Sequence, residues 1–389
     1  MELLSKSEFQ KLADVAGEPC VSIYLPTHTA GPEIRQDPIQ LKNLLQEAKD
    51  SGQQLKLTST ELDQLLEPAG TLLQNERFWR HQSCGLAIFL NRSGMRLYRL
   101  PLDFSPEVIV GHEFHLKPLI PLYMGEGYFY ILALSQQMVR LFQATQYKVI
   151  EVPLEGVPTS LEAALRYDDP EEHLQYHSGG AEKPLYHGQG IGTTEDKTSI
   201  RRFFDRVNKG LHTYLNQETA PLVVASVEFL QPIFRESSSY PAIVEDGIYG
   251  NPEQMAPEDL HQAAWERVKP LVMRSQQEIL ERFAELQDTQ KIGTRLEQIV
   301  PAAHNGQVDT LLVVKDAHSW GHFDPTTGNV TAAKAEDLDA VDLLDTAAVN
   351  TLVQGGSVYP VATESMPTTT PVAAIYRYEI PQELSYQTS

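Results

Sequence analysis

The chain has 389 residues, with 31 Lys and Arg against 52 Asp and Glu, a formal charge of −21. Hydrophobic residues make up 41 % and charged residues 21 %, which excludes global disorder and a coiled coil. The two cysteines, Cys20 and Cys84, exclude a disulfide scaffold and a cysteine zinc site. The longest purely apolar run, residues 128–134, is far too short to span a bilayer, and Met1-Glu2-Leu3-Leu4-Ser5-Lys6 lacks the apolar core of a secretory signal. A soluble cytoplasmic protein is expected.

Cys20-Val21-Ser22-Ile23-Tyr24-Leu25 reads as a strand stopped by Pro26. Asp37 as cap and Pro38 at the first helical position predict a helix to about residue 49, with Ile39, Leu41, Leu44, Leu45 and Ala48 as its apolar stripe. Thr58 or Ser59 can cap a second helix, in which Leu62, Leu65, Leu66, Ala69 and Leu72 recur at helical spacing. Strands are expected at 85–90, 95–100 and, with interruptions, 108–120. Residues 1–120 are therefore read as an N-terminal α/β domain.

A middle domain is expected over 121–252. Strands at 128–134, 139–143 and 147–152, joined by short spacers, predict an antiparallel meander. Residues 168–197 lack apolar periodicity and are rich in Gly, His and acids, and the core of this stretch, 171–197, is expected to be a long mobile loop. A helix over 198–215 carries Ile200, Phe203, Phe204, Val207, Leu211, Tyr214 and Leu215 on one side, and a buried strand follows at 221–227. A parallel or mixed sheet fits that alternation.

Residues 253–389 are expected to form a third α/β domain. The pattern predicts a helix over 257–290 kinked at Pro270, a helix over 295–304 ended by Asn305-Gly306, and a strand at 308–314. After an irregular segment, a helix over 337–353 ends at Gly355-Gly356, and strands at 358–362 and 372–376 close the chain. The fold class expected is α/β, as three consecutive α/β domains.

Acidity is graded: net −3 over residues 1–120, −7 over 121–252 and −11 over 253–389. Such a chain resists nonspecific phosphate binding, so any nucleic-acid role needs a local patch. One window, 173–216, carries Lys183, Lys197, Arg201, Arg202, Arg206 and Lys209 against four acids, net +2, with four histidines besides. A solvated helix face explains those charges equally well. Within the window, His173 and His177 stand at i, i+4, but Gly179-Gly180 argues against a helix that would align them. They are read as part of a polar loop. Gly111-His112-Glu113-Phe114-His115 reads as a strand with its histidines on alternate faces. No metal and no cofactor is expected, and no nucleotide-binding glycine motif or nucleophile elbow is present.

The segment Tyr186-His187-Gly188-Gln189-Gly190-Ile191-Gly192 sits just before the basic helix. Its glycines let the backbone approach a partner closely. Gln189 cannot act as a base at neutral pH, but it can position a water, and its backbone N–H can stabilise an oxyanion. A flexible linker with an incidental Gln has the same composition.

The order of these features resembles the archaeo-eukaryotic release factor and Pelota superfamily, in its bacterial branch. The middle domain is similar to the family's catalytic domain: a meander, a long loop with a Gly-Gly-Gln, a helix rich in Arg and Phe (residues 199–207), then a buried strand. Ala302-Ala303-His304-Asn305-Gly306-Gln307-Val308, Asn350-Thr351-Leu352-Val353-Gln354-Gly355-Gly356 and Val372-Ala373-Ala374-Ile375-Tyr376-Arg377-Tyr378 resemble the Pelota-like C-terminal domain. Ser22-Ile23-Tyr24-Leu25-Pro26-Thr27 through Asp37-Pro38-Ile39-Gln40-Leu41-Lys42-Asn43 resembles bacterial members only.

The resemblance implies a ribosome-associated factor, acting on rRNA and P-site peptidyl-tRNA and not on DNA or a membrane, in translation termination or ribosome rescue. It implies that His187, Gly188, Gln189 and Gly190 form a hydrolytic tip and that Lys197, Arg201, Arg202, Arg206 and Lys209 hold RNA phosphate. His187 stands where the family has its first glycine, and Pelota-type members lack the tripeptide and do not hydrolyse. A noncatalytic ribosome-binding or hibernation factor, and an acidic protein-interaction module without an RNA partner, remain open alternatives.

Overall fold

A computed structural model describes residues 6–380, apart from 29–30, 56, 125–127, 147, 166–193, 217, 335–336 and 338–339. Its contacts divide the chain into two units, Met1–Glu126 together with Met273–Ser389, and Gly127–Val272. The α/β class expected from the sequence is what the chain adopts.

The first unit begins with α1 (Lys6–Ala13), β1 (Ala16–Pro26), α2 (Asp37–Gln54), α3 (Ser59–Gly70), α4 (Glu76–Trp79), β2 (Gly85–Asn91), β3 (Gly94–Leu100), β4 (Glu107–Glu113) and α5 (Ile120–Tyr123). The strands form an antiparallel sheet in the order β3-β2-β1-β4. Alternation along β1 sends Val21, Ile23 and Leu25 into one core with Leu41, Leu44 and Leu45 of α2 and Leu65 and Leu66 of α3. Thr58 caps α3 as a full capping box with Glu61. Asp37 is not the cap of α2: it is the first helical residue, and its carboxylate accepts from His28 N at 3.0 Å and faces His28 Nδ1 at 2.7 Å.

The second unit carries β5 (Phe129–Leu134), β6 (Val139–Ala144), β7 (Val149–Val152), α6 (Leu161–Leu165), α7 (Thr194–Leu215), β8 (Leu222–Ser226), α8 (Leu230–Ser237) and β9 (Ile248–Tyr249). Its sheet runs β7-β6-β5-β8-β9. The first three strands are the expected antiparallel meander, while β8 pairs parallel with β5 and β9 with β8, giving a mixed sheet. Phe129, Ile131 and Val223 pack with Leu260, Ala264 and Val268 of α9 (Pro257–Leu286), whose later residues Ile279, Leu280 and Phe283 join a core of the first unit.

The first unit resumes with β10 (Ile292–Gly293), α10 (Leu296–His304), β11 (Val308–Val314), β12 (Trp320–Asp324), β13 (Asn329–Ala332), β14 (Val341–Asp342), α11 (Leu343–Val353), β15 (Ser357–Val361) and β16 (Val372–Tyr376). One sheet has the order β10-β16-β11-β15, with β11 parallel to β15, and a smaller one the order β13-β12-β14. Two expectations fail here. The segment read as irregular holds a hairpin, turned at Gly328 with φ 71°. The helix expected from residue 337 starts at Leu343, because Val341 and Asp342 pair with β12 and the Asp342 carboxylate caps the helix. Among the described residues no helix is long and apolar enough to cross a membrane.

Candidate functional site

Helix α7 forms because apolar residues recur every three or four positions. Ile200, Phe203, Phe204, Val207, Leu211 and Leu215 are all buried, and the Phe204 ring meets Phe234 of α8 edge-on at 5.8 Å. The opposite arc is left to solvent, and there Lys197, Arg201, Arg202 and Lys209 are exposed. Arg201 is paired with Glu236 of α8, and both side chains are more than half exposed. Such surface pairs contribute little, so Arg201 can exchange Glu236 for another anion at small cost. Arg206 is different. It is half-buried and donates to the Ala164 carbonyl of α6, which makes it a fastener between two helices.

His187, Gly188, Gln189 and Gly190 lie outside the described residues, as do His173 and His177. The described chain re-enters at Thr194, the first residue of α7. In the sequence, Gln189 lies five positions before Thr194, the first residue of the helix that carries the basic arc.

A second constellation lies in the first unit, where β4 and the turn after it meet the start of α11. Asp342 Oδ1 accepts from Ser319 N at 3.0 Å and Leu344 N at 3.1 Å, and its Oδ2 takes Lys117 Nζ at 2.9 Å. The same oxygen faces His318 Nδ1 at 3.0 Å. Asp345 Oδ1 accepts the backbone N–H of Leu116 at 2.8 Å and of Lys117. Glu107 sits between two imidazoles, with Oε1 3.1 Å from His318 Nε2 and Oε2 3.9 Å from His115 Nε2. His115 Nδ1 lies 3.4 Å from Asp345 Oδ1. The His115 Nε2 atom is buried and has no hydrogen-bond partner among the described residues.

Environment pushes these groups apart. Burial drives His115 down to about 4, against the pull of Asp342 and Glu107. His318 is partly exposed, and its hydrogen bonds to Asp342 and Glu107 lift it to about 9. Burial alone would raise Asp342, but the His318 bond and the Lys117 charge outweigh it and hold the carboxyl well below its ordinary value. Glu107 is lowered in the same way: burial is outweighed by the His318 bond and nearby positive charge. Asp345, fully buried and facing Asp342 and Glu113, is held well above its ordinary value.

No local spacing in the sequence spells out this cluster. His112 and His115 were expected to alternate along one strand, but β4 ends at Glu113, and only His112 is on it, exposed. His115 lies past the end and turns inward. Glu107 is near it in the chain, but its other partners, Asp345 and His318, are more than 200 positions away. A local signal did exist: Phe114-His115-Leu116-Lys117 places two ionisable residues inside an apolar run.

Residues 128–307 match a family described as bacterial archaeo-eukaryotic release factor family 3. No curated protein sequence matches the chain. Among solved structures, the chain is similar to Saccharomyces cerevisiae Dom34, described as a translation termination-like factor, at 11 % identity over 74 % of each chain with a TM-score of 0.40. It is also similar to the archaeal translation termination factor aRF1, at 13 % identity over 96 % of this chain and 98 % of that one, TM-score 0.23. An archaeal protein aligns at 14 % identity over 97 % and 99 %, TM-score 0.28. The weight rests on residues 128–307, which run from the meander through α7 to the end of α10.

Proposed function

We propose, from the match of residues 128–307 to bacterial archaeo-eukaryotic release factor family 3, that the chain belongs to the bacterial branch of the archaeo-eukaryotic release factor and Pelota superfamily and is a cytoplasmic, ribosome-binding factor that hydrolyses the peptidyl-tRNA ester. The observation that carries the reading is the exposed basic arc of α7, Lys197, Arg201, Arg202 and Lys209, in a chain of net charge −21. A body so acidic repels RNA on balance, so binding needs a local basic patch such as this one. The arc would hold rRNA phosphate beside the vacant tRNA site, with Arg206 bracing α7 against α6. Gln189 would then be presented to the ester. It supplies no proton: its side chain positions water, and its backbone N–H stabilises the developing oxyanion. Gly188 and Gly190 allow the backbone to approach.

His187, in place of the family's first glycine, favours a second reading, a factor that occupies the same site without hydrolysis. The test is release of labelled peptide from ribosome-bound peptidyl-tRNA, with binding followed in parallel. Release by the wild type, slowed strongly in Gly188→Ala, modestly in Gln189→Ala and not at all in His187→Gly, is the expected result. Binding without release establishes the noncatalytic factor, and no binding leaves the protein-interaction module.

A further inference from the structure

We infer that Glu107, His115 and His318 form a Zn²⁺ site that ties the N-terminal sheet of the first unit to its C-terminal part. The site is independent of the ribosomal reading and uses none of its residues.

Three ligand atoms, one from each residue, all lie within 4.8 Å of one another. They are arranged around the Glu107 carboxylate, which turns one oxygen toward each imidazole Nε2, at 3.1 and 3.9 Å. Zinc bound to nitrogen and oxygen at about 2.0–2.1 Å in a tetrahedron sets neighbouring donors about 3.3 Å apart. The 3.1 and 3.9 Å separations lie within about 0.6 Å of that spacing, and the widest separation, up to 4.8 Å, closes by about 1.5 Å when the ion binds.

The outer contacts fit as well. A metal-binding histidine characteristically gives its other ring nitrogen to a carboxylate, which fixes the ring and its tautomer. Both rings do so here: His115 Nδ1 faces Asp345 at 3.4 Å, and His318 Nδ1 faces Asp342 at 3.0 Å. With Nδ1 so engaged, Nε2 is the nitrogen each ring offers to a metal. The His318 ring is further held by stacking on Trp320, at 5.7 Å and 11°.

The decisive atom is His115 Nε2. Its side chain is 3 % exposed, and the nitrogen has no hydrogen-bond partner among the described residues. A buried polar atom left unsatisfied is costly, and native structures rarely keep one without a reason. A cation between His115, Glu107 and His318 satisfies it. It would take the place of the proton that His318 now shares with Glu107. Charge balance permits this, because Glu107 and Asp342 face the site and offset the Lys117 ammonium beside it. Two imidazoles and a carboxylate select zinc over magnesium or calcium, and water completes the four-coordinate shell.

The experiment strips the whole protein with a chelator, then titrates Zn²⁺ against a chromophoric competitor. One tight equivalent is expected. It should persist in His173→Ala/His177→Ala, be lost in His115→Gln and in His318→Gln, and weaken about 10–100-fold in Asp345→Asn. The folding of each variant is checked by circular dichroism. Co²⁺ bound to the wild type provides a readout that needs no variant, and the intense visible bands of a four-coordinate ion are expected. No stoichiometric zinc, binding that follows His173 and His177 in place of His115 and His318, or the weak bands of six-coordinate cobalt would each overturn the assignment.

Discussion

Lys117 and Asp342 form an ion pair of 2.9 Å across 225 positions of chain, with both side chains 2 % exposed. The pair joins the turn after β4 to the cap of α11. Breaking a buried pair leaves the surviving charge without compensation, which costs about 3–5 kcal/mol. In Lys117→Met, His318 stays on the same Asp342 oxygen, so the loss should fall at the low end, about 3 kcal/mol. Lys117→Met/Asp342→Asn should lose less than the two single changes added together. Urea unfolding followed by tryptophan fluorescence measures the cycle, and strict additivity would show that the two groups are not coupled.

Neither cysteine should react in the native state. Cys20 is 1 % and Cys84 2 % exposed, and burial, with help from Glu18 and Glu113, pushes the Cys20 thiol up to about 12. At pH 8 very little of it is thiolate, and the thiolate is the reacting species. A colorimetric thiol reagent should therefore register two equivalents only after denaturation. A fast native equivalent would mean that β1 or the start of β2 opens readily.

Two adjacent glycines should fail for opposite reasons. Gly355 has φ 77°, and a notional Cβ would meet only the Arg377 Nη2 atom at 4.0 Å, an ordinary contact, so Gly355→Ala carries backbone strain alone, about 1–2 kcal/mol. Gly356 has an ordinary φ, but its Cβ would lie 2.8 Å from the Val308 carbonyl and 2.7 Å from Thr351 Cγ2. That backbone carbonyl cannot swing aside as a side chain would, so Gly356→Ala should be the more destabilising of the two. Urea midpoints of the two variants decide the order.

Much of the fold was legible because its signals are local. Thr58 or Ser59 reads as a cap, and Thr58 is the one used, in a capping box with Glu61, while the apolar spacing from Ile200 to Leu215 spells the buried face of α7. The apolar run at Val308–Val314 is a strand with the predicted bounds. What escaped depends on distant partners. Asp37 looks like a cap, but His28 claims its carboxylate. The residues before Leu343 look helical, but Trp320 and Gly321 draw Asp342 and Val341 into a sheet. Trp320–Asp324 and Asn329–Ala332 are too short for alternation to stand out. At the sites the division is the same. The basic arc could be read from one helix, while the cluster around Glu107 needed the fold to bring three segments together.

Arg206 should separate from the other basic residues of α7. Its guanidinium is committed to the Ala164 carbonyl, so Arg206→Ala should loosen α6 and increase proteolysis around residue 165 while leaving most ribosome affinity intact. Arg202→Ala should do the reverse. Limited proteolysis and sedimentation on the same two proteins check both halves, and matched behaviour would remove the distinction.

Sedimentation with ribosomes over a range of salt tests the central claim most directly. Wild-type protein should pellet with ribosomes at low salt and lose affinity steeply as salt rises, because phosphate contacts release counterions. Arg201→Glu/Arg202→Glu/Lys209→Glu should abolish pelleting while leaving the unfolding midpoint unchanged, since all three side chains are exposed. Pelleting that is flat in salt and indifferent to the triple reversal would contradict RNA binding through α7.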